Sequence, residues 1–136
     1  MRNLLFMFLT IAVSSIALAQ KHLPSELVEA KKVYLRNESS EQKMFDKIYE
    51  LIQKWGRWEI VEKKKDADLE LVLEVARRTT QRSAGGKEYT YLVAKNKDGD
   101  EIYKAETRIT MLGSGTRATI LVDNYRKALE SNKKDK

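Results

Sequence analysis

Residues 32–61 decide the architecture. They read Lys32-Val33-Tyr34-Leu35-Arg36, a polar break from Asn37 to Ser40, apolar residues at Met44, Phe45, Ile48, Leu51, Ile52 and Trp55, and then Gly56 followed by Arg57-Trp58-Glu59-Ile60-Val61. The two flanking runs are β-branched and aromatic, as strands are. The apolar positions between them recur at i, i+1, i+4, i+7, i+8 and i+11, which is one face of an α-helix. Lys43, Lys47, Glu50 and Lys54 occupy the opposite, solvated face. Ser39 followed three residues later by Gln42 has the form of a capping box, and Gly56 supplies the left-handed residue that ends the helix. Strand, helix and strand at this spacing predict a β-α-β unit with a right-handed parallel crossover.

Toward the C-terminus, a charged loop from Glu62 to Asp68 has room for a helical turn. In Leu69-Glu70-Leu71-Val72-Leu73-Glu74-Val75 the period is two: Leu69, Leu71, Leu73 and Val75 face a core, while Glu70 and Glu74 face away. A sheet built this way is covered on one side only. Thr79 to Lys87, with Gly85-Gly86, is expected to be the most flexible loop. Glu88–Lys95 and Glu101–Arg108 form a hairpin around Asp98-Gly99, whose residue types accept positive φ at both central positions. After Ile109 to Leu112, Gly113-Ser114-Gly115 breaks the chain, and a helix from about Thr116 presents Ala118, Leu121, Val122, Tyr125 and Leu129 on one stripe. The expectation is an α/β (α+β) fold, β-α-β-β-β-β-α, with a five-stranded mixed sheet in the order 2-1-3-4-5. Its last strands form an antiparallel meander, and both long helices lie on one face. A lead-in over residues 20–30, in which Pro24 suits a first helical position, precedes a single domain over 31–131. A polar tail follows at 132–136.

Met1-Arg2-Asn3, the apolar run Leu4 to Val13, and Ala17-Leu18-Ala19 have the charged, apolar, small-residue order of a secretory signal. Residues 1–19 are therefore expected to be cleaved, with the bond broken between Ala19 and Gln20. A retained anchor is the alternative, but the run is shorter than the ~20 residues that a spanning helix needs. Cleavage leaves 117 of the 136 residues, enough for a core that buries roughly two-thirds of the unfolded surface. With no cysteine in the chain, an exported product relies on packing alone and has no residue to carry a lipoprotein's lipid. Loss of Arg2 takes the formal charge from +6 to +5. The densest basic clusters are Lys63-Lys64-Lys65 and the Lys133–Lys136 tail.

Three segments carry a family resemblance: Lys32 to Asn37, Lys54-Trp55-Gly56-Arg57-Trp58-Glu59-Ile60-Val61, and Ala67-Asp68-Leu69-Glu70-Leu71-Val72-Leu73. Together they resemble small uncharacterised bacterial periplasmic proteins. These in turn are similar to the N-terminal domain of TolB and to the penicillin-binding-protein activator LpoB. Over roughly residues 30–130 the resemblance implies the same succession of elements, a bacterial envelope location, and a non-catalytic role in binding a partner. The lipid-bearing cysteine of LpoB is absent, and no TolB-like propeller follows.

No constellation in the chain points to a reaction, a cofactor or a metal. The single histidine, His22, stands near the expected new N-terminus, and a transition-metal site needs companions that are missing. Asp66/Asp68 and Asp98/Asp100 are paired carboxylates, but their setting is that of turn residues. Gly113-Ser114-Gly115-Thr116 before a helix could hold an anion, with Ser114, Thr116 and Arg117 as contacts; alternatively, Ser114 or Thr116 is simply an N-cap. Tyr89 and Tyr91 share one face of a strand and Tyr103 belongs to its hairpin partner. With Arg77, Arg78 and Arg82 nearby they could stack on bases or sugars, though an exported location argues against nucleic acid, and cross-strand pairing within the sheet also accounts for them. Asn37-Glu38-Ser39 fits a glycosylation sequon, relevant only in a eukaryotic host. The expectation is a periplasmic protein, soluble after cleavage, without enzymatic activity or cofactor. It would bind an envelope protein through the face carrying Tyr89, Tyr91, Glu70 and Glu74. Binding to an anionic envelope polymer or lipid surface is the second reading and an unrecognised enzyme the third. The oligomeric state is left open.

Overall fold

The computed structural model describes residues 22–78, 87–108 and 113–134. The expected signal with its Ala19–Gln20 junction, the Gly85-Gly86 loop and residues 109–112 lie outside the described residues. A short helix α1 (Ser25–Glu29) precedes β1 (Lys32–Asn37), α2 (Gln42–Trp55) and β2 (Glu59–Ile60). A single 3-10 turn at Lys64–Asp66 leads to β3 (Leu69–Arg78), β4 (Lys87–Lys95), β5 (Glu101–Arg108) and α3 (Ser114–Lys134). The strands form one mixed sheet in the order β2-β1-β3-β4-β5, as expected. β1 runs parallel to both β2 and β3, and β3, β4 and β5 form the antiparallel meander.

All three helices bury residues in one core against one face of the sheet. From α2 come Met44, Ile48 and Ile52, each at most 1% exposed, and from α3 Ala118, Leu121, Val122, Tyr125 and Leu129. The sheet contributes Val33, Leu35, Leu69, Leu71, Leu73, Leu92, Ala94 and Ala105. A side chain of this size adds about 1.5–3 kcal/mol on full burial. That explains how a chain without disulfides is held. Trp58 stacks edge-on with Trp55 at 5.1 Å and with Tyr125 at 5.9 Å, closing the core beneath the α2 C-terminus. Gly56 ends α2 as expected: its φ is +71° and its N–H donates to the Ile52 carbonyl at 3.3 Å.

Several local expectations give way to tertiary context. The lead-in is more ordered than its composition suggests, because Leu27 of α1 is fully buried in the core, and Pro24 stands at the N-cap rather than at the first helical position. The Ser39/Gln42 capping box does not form. Ser39 Oγ instead accepts from Glu41 N–H at 3.1 Å, while Asn37 Oδ1 takes the Ser39 N–H and hydroxyl at 2.9 and 2.7 Å. The N-cap position is Glu41, whose carboxylate is engaged elsewhere. At the hairpin only Gly99 has positive φ, +85°. Asn96 carries the turn by accepting from Asp98 and Asp100 N–H at 3.0 and 2.9 Å, so a wider loop with one left-handed residue replaces the two-residue turn. β2 is shorter than the run Arg57–Val61. α3 begins at Ser114 and continues to Lys134, past the point where a polar tail was expected.

Candidate functional site: the uncovered face of the sheet

Strand alternation and the observed registers define the face turned away from the helices, on which no helix packs among the described residues. One row across the strands reads Tyr34, Glu70, Lys95 and Glu101; the next reads Arg36, Val72, Val93 and Lys104. A third row sets Glu74 beside Tyr91 and Glu106, and a fourth sets Ala76 beside Tyr89 and Arg108. Val72 and Val93 are both fully buried although they lie outside the core under the helices. Their row is flanked by Arg36 and Lys104, whose alkyl stems can cover apolar neighbours while their charges reach water.

Glu70 and Glu74, read alike from the sequence, have different fates. Glu74 is partly exposed and 3.9 Å from Lys95 Nζ. Glu70 is only 3% exposed and is not an open contact. Its carboxylate accepts from Arg36 Nε at 2.5 Å and pairs with Lys64 Nζ at 2.8 Å, and Arg36 also pairs with Glu38. Burial alone would push the Glu70 carboxyl upward, but Lys64 and Arg36 outweigh it and hold it below the usual carboxylate value. Val75, expected to face the core, is 38% exposed near the far end of β3.

The tyrosines divide in the same way. Tyr89 and Tyr91 stack with ring centroids 6.2 Å apart and planes inclined by 23°, and Lys104 Nζ lies 4.7 Å from the Tyr91 ring. Tyr91 is buried, 4% exposed, and like Glu70 is not an open contact, whereas Tyr89 is partly exposed. Tyr103 is not part of this cluster. Its register puts it on the helix side, 4.8 Å from Tyr125, and burial pushes its hydroxyl pKa up.

The segment considered for anion binding is built differently from the expectation. Ser114 is the first residue of α3 and Thr116 lies inside the helix, exposed. Arg117 turns inward: it donates from Nη2 to Glu41 Oε2 at 2.7 Å and from Nη1 to Thr90 Oγ1 at 3.2 Å. It therefore ties together the start of both long helices and strand β4, a role the sequence reading missed. A signal was present, since positions 117, 121, 125 and 129 share one helical stripe.

Of the paired aspartates, Asp68 has a structural role. Asp68 Oδ2 accepts from the N–H groups of Lys31 and Lys32, each at 3.0 Å, and these bonds hold its carboxyl low. Asp98 and Asp100 flank the hairpin glycine. Among the described residues no cluster of histidine, cysteine, aspartate or glutamate is placed to hold a metal, and no helix is long and apolar enough to cross a membrane. His22 is exposed ahead of α1.

No family model and no curated protein matches the chain. Among solved structures it is similar to PelC from Paraburkholderia phytofirmans, a dodecamer, at 14% identity over 79% of this chain and 92% of that one, with a TM-score of 0.46. It is also similar to a minor lipoprotein from Acinetobacter baumannii (11% identity, 77% and 92% covered, TM-score 0.37). A third is the uncharacterised lipoprotein B from Nitrosomonas europaea (10% identity, 83% and 85% covered, TM-score 0.36). None of these is TolB or LpoB, so the narrower resemblance drawn from the sequence gains no support from them.

Proposed function

We propose that the chain is an exported, non-catalytic module of the bacterial envelope that binds a protein partner across the uncovered face of its sheet. The observation that carries this reading is the make-up of the face. The partly exposed Tyr89 is stacked on Tyr91, with Lys104 over the Tyr91 ring, Glu74 opposite Tyr91 in the register and Lys95 3.9 Å from Glu74. Aromatic anchors set among polar and charged groups are the usual substance of reversible protein interfaces. The mixed sign of the charges fits a protein partner better than a uniformly anionic polymer or lipid surface. Of the Lys63–Lys65 cluster, Lys64 is already paired with Glu70.

The test uses mature protein as bait in envelope extract, with captured proteins identified by mass spectrometry. N-terminal sequencing of the exported material should begin at Gln20. Tyr89→Ala, which removes the partly exposed ring of the pair, should weaken capture by about ten-fold or more, a loss of ~1.4 kcal/mol. Lys63→Glu/Lys65→Glu, which spares the Lys64–Glu70 pair, should leave capture intact. Capture that survives loss of the Tyr89 ring overturns the assignment of this face. Salt-sensitive binding to anionic liposomes that is lost in the lysine variant would favour the polymer or lipid reading instead.

A further inference from the structure

The sheet ends on one side at β5, which is hydrogen-bonded to β4 and has no strand beyond it among the described residues. β5 spans eight residues, contains no proline, and keeps an unbroken register with β4 from Tyr103 to Arg108. Such an edge offers a row of backbone N–H and C=O groups to another strand. The opposite edge is different, since β2 is only two residues long.

The side chains of β5 alternate between the two faces. Lys104, Glu106 and Arg108 lie on the uncovered face, and Tyr103, Ala105 and Thr107 on the helix side. When two identical strands pair antiparallel about a two-fold axis normal to the sheet, each face stays on its own side, so only residues of like orientation oppose one another. With Ala105 on the axis, Lys104 stands opposite the second copy's Glu106 and Glu106 opposite its Lys104. Tyr103 meets Thr107, and the small Ala105 meets itself. Slipping the register by two residues in either direction sets Lys104 against Lys104 or Glu106 against Glu106, which like charges disfavour. The charge order around Ala105 is thus self-complementary in one central register and self-repelling in its neighbours.

We propose that β5 pairs antiparallel with β5 of a second copy about Ala105, with reciprocal Lys104–Glu106 ion pairs setting the register. The product is a two-fold dimer with a continuous sheet of ten strands, twice the five of one chain. Neither charge has to be idle beforehand. Lys104 is 39% exposed, 3.5 Å from Glu101 and set over the Tyr91 ring, and surface pairs of this kind exchange readily. The dimer does not depend on the partner proposed above.

The experiment is sedimentation velocity of the mature protein over a range of concentrations, with thermal melts to show that each variant is folded. Wild type should dimerise with rising concentration. Lys104→Glu and Glu106→Lys, each setting like charges across the axis, should each weaken the dimer by about ten-fold or more. The double variant, which restores opposite signs with reversed polarity, should recover it. An equimolar mixture of the two single variants should form a heterodimer that neither forms alone. A wild type that stays monomeric throughout, single variants that associate like wild type, or a mixture that fails to recover would each overturn the proposal. So would a larger assembly indifferent to these substitutions.

Discussion

Removing Glu41 should harm the fold more than removing its partner Arg117, although both changes delete the same ion pair. The Arg117 side chain is 8% exposed, while that of Glu41 is 27% exposed. In Glu41→Ala the guanidinium stays buried with Thr90 as its remaining partner, 3.2 Å away on a fully buried residue. Losing one partner of a buried pair costs about 3–5 kcal/mol, and Glu41's partial exposure places this case near 3 kcal/mol. In Arg117→Met the stripe keeps its volume and Glu41 turns toward water, so about 1–2 kcal/mol is expected. The double variant should cost little more than Arg117→Met alone, which gives a coupling close to the whole cost of Glu41→Ala, about 3 kcal/mol. Urea unfolding followed by the fluorescence of Trp55 and Trp58 reads all four corners of the cycle. For a domain of this size, 3 kcal/mol also appears as a fall in Tm of roughly 10 °C. Equal costs for the two single changes, or additivity within ~0.5 kcal/mol, would refute the assignment of Arg117 as a buried tie.

Leu71→Ala and Ile48→Ala each empty a fully buried position on opposite sides of the core and should cost about 2–5 kcal/mol. Melting within a degree or two of wild type would break the pairing of α2 with β3. Acid should destabilise the protein through Asp68 and Glu70, whose carboxyls both titrate below their ordinary values in the folded state. A group held low in the fold contributes stability that is complete above its unfolded value. That contribution is lost as pH falls through the folded one, so urea midpoints should begin to drop below about pH 4.5. Glu70→Gln should be less stable at neutral pH and fall more gently in acid; curves parallel to wild type would show that the Arg36–Glu70–Lys64 cluster does not act in this way.

Local pattern alone was sufficient for the framework. The 3.6-residue stripe from Met44 to Trp55, the two-residue alternation from Leu69 to Leu73, and Gly56 at the helix end each follow from the chain's own neighbours. Topology rules then order the strands as β2-β1-β3-β4-β5. What tertiary structure decided is where the charges go. Glu70 and Glu74 are indistinguishable in sequence, four residues apart on one strand face, yet Glu70 is buried because Arg36 from β1 and Lys64 from the preceding turn converge on it. Arg117 reads as a cation at an exposed helix start, yet Glu41 arrives from 76 residues away and draws it inward. Tyr103 parts from Tyr89 and Tyr91 because the hairpin closes through Asn96 with an irregular step in register at its end. Side-chain periodicity depends on bonds between near neighbours and is written in the sequence. The partner of a buried charge is brought from a distant segment by packing, because a desolvated charge must find its counter-charge wherever the fold places one.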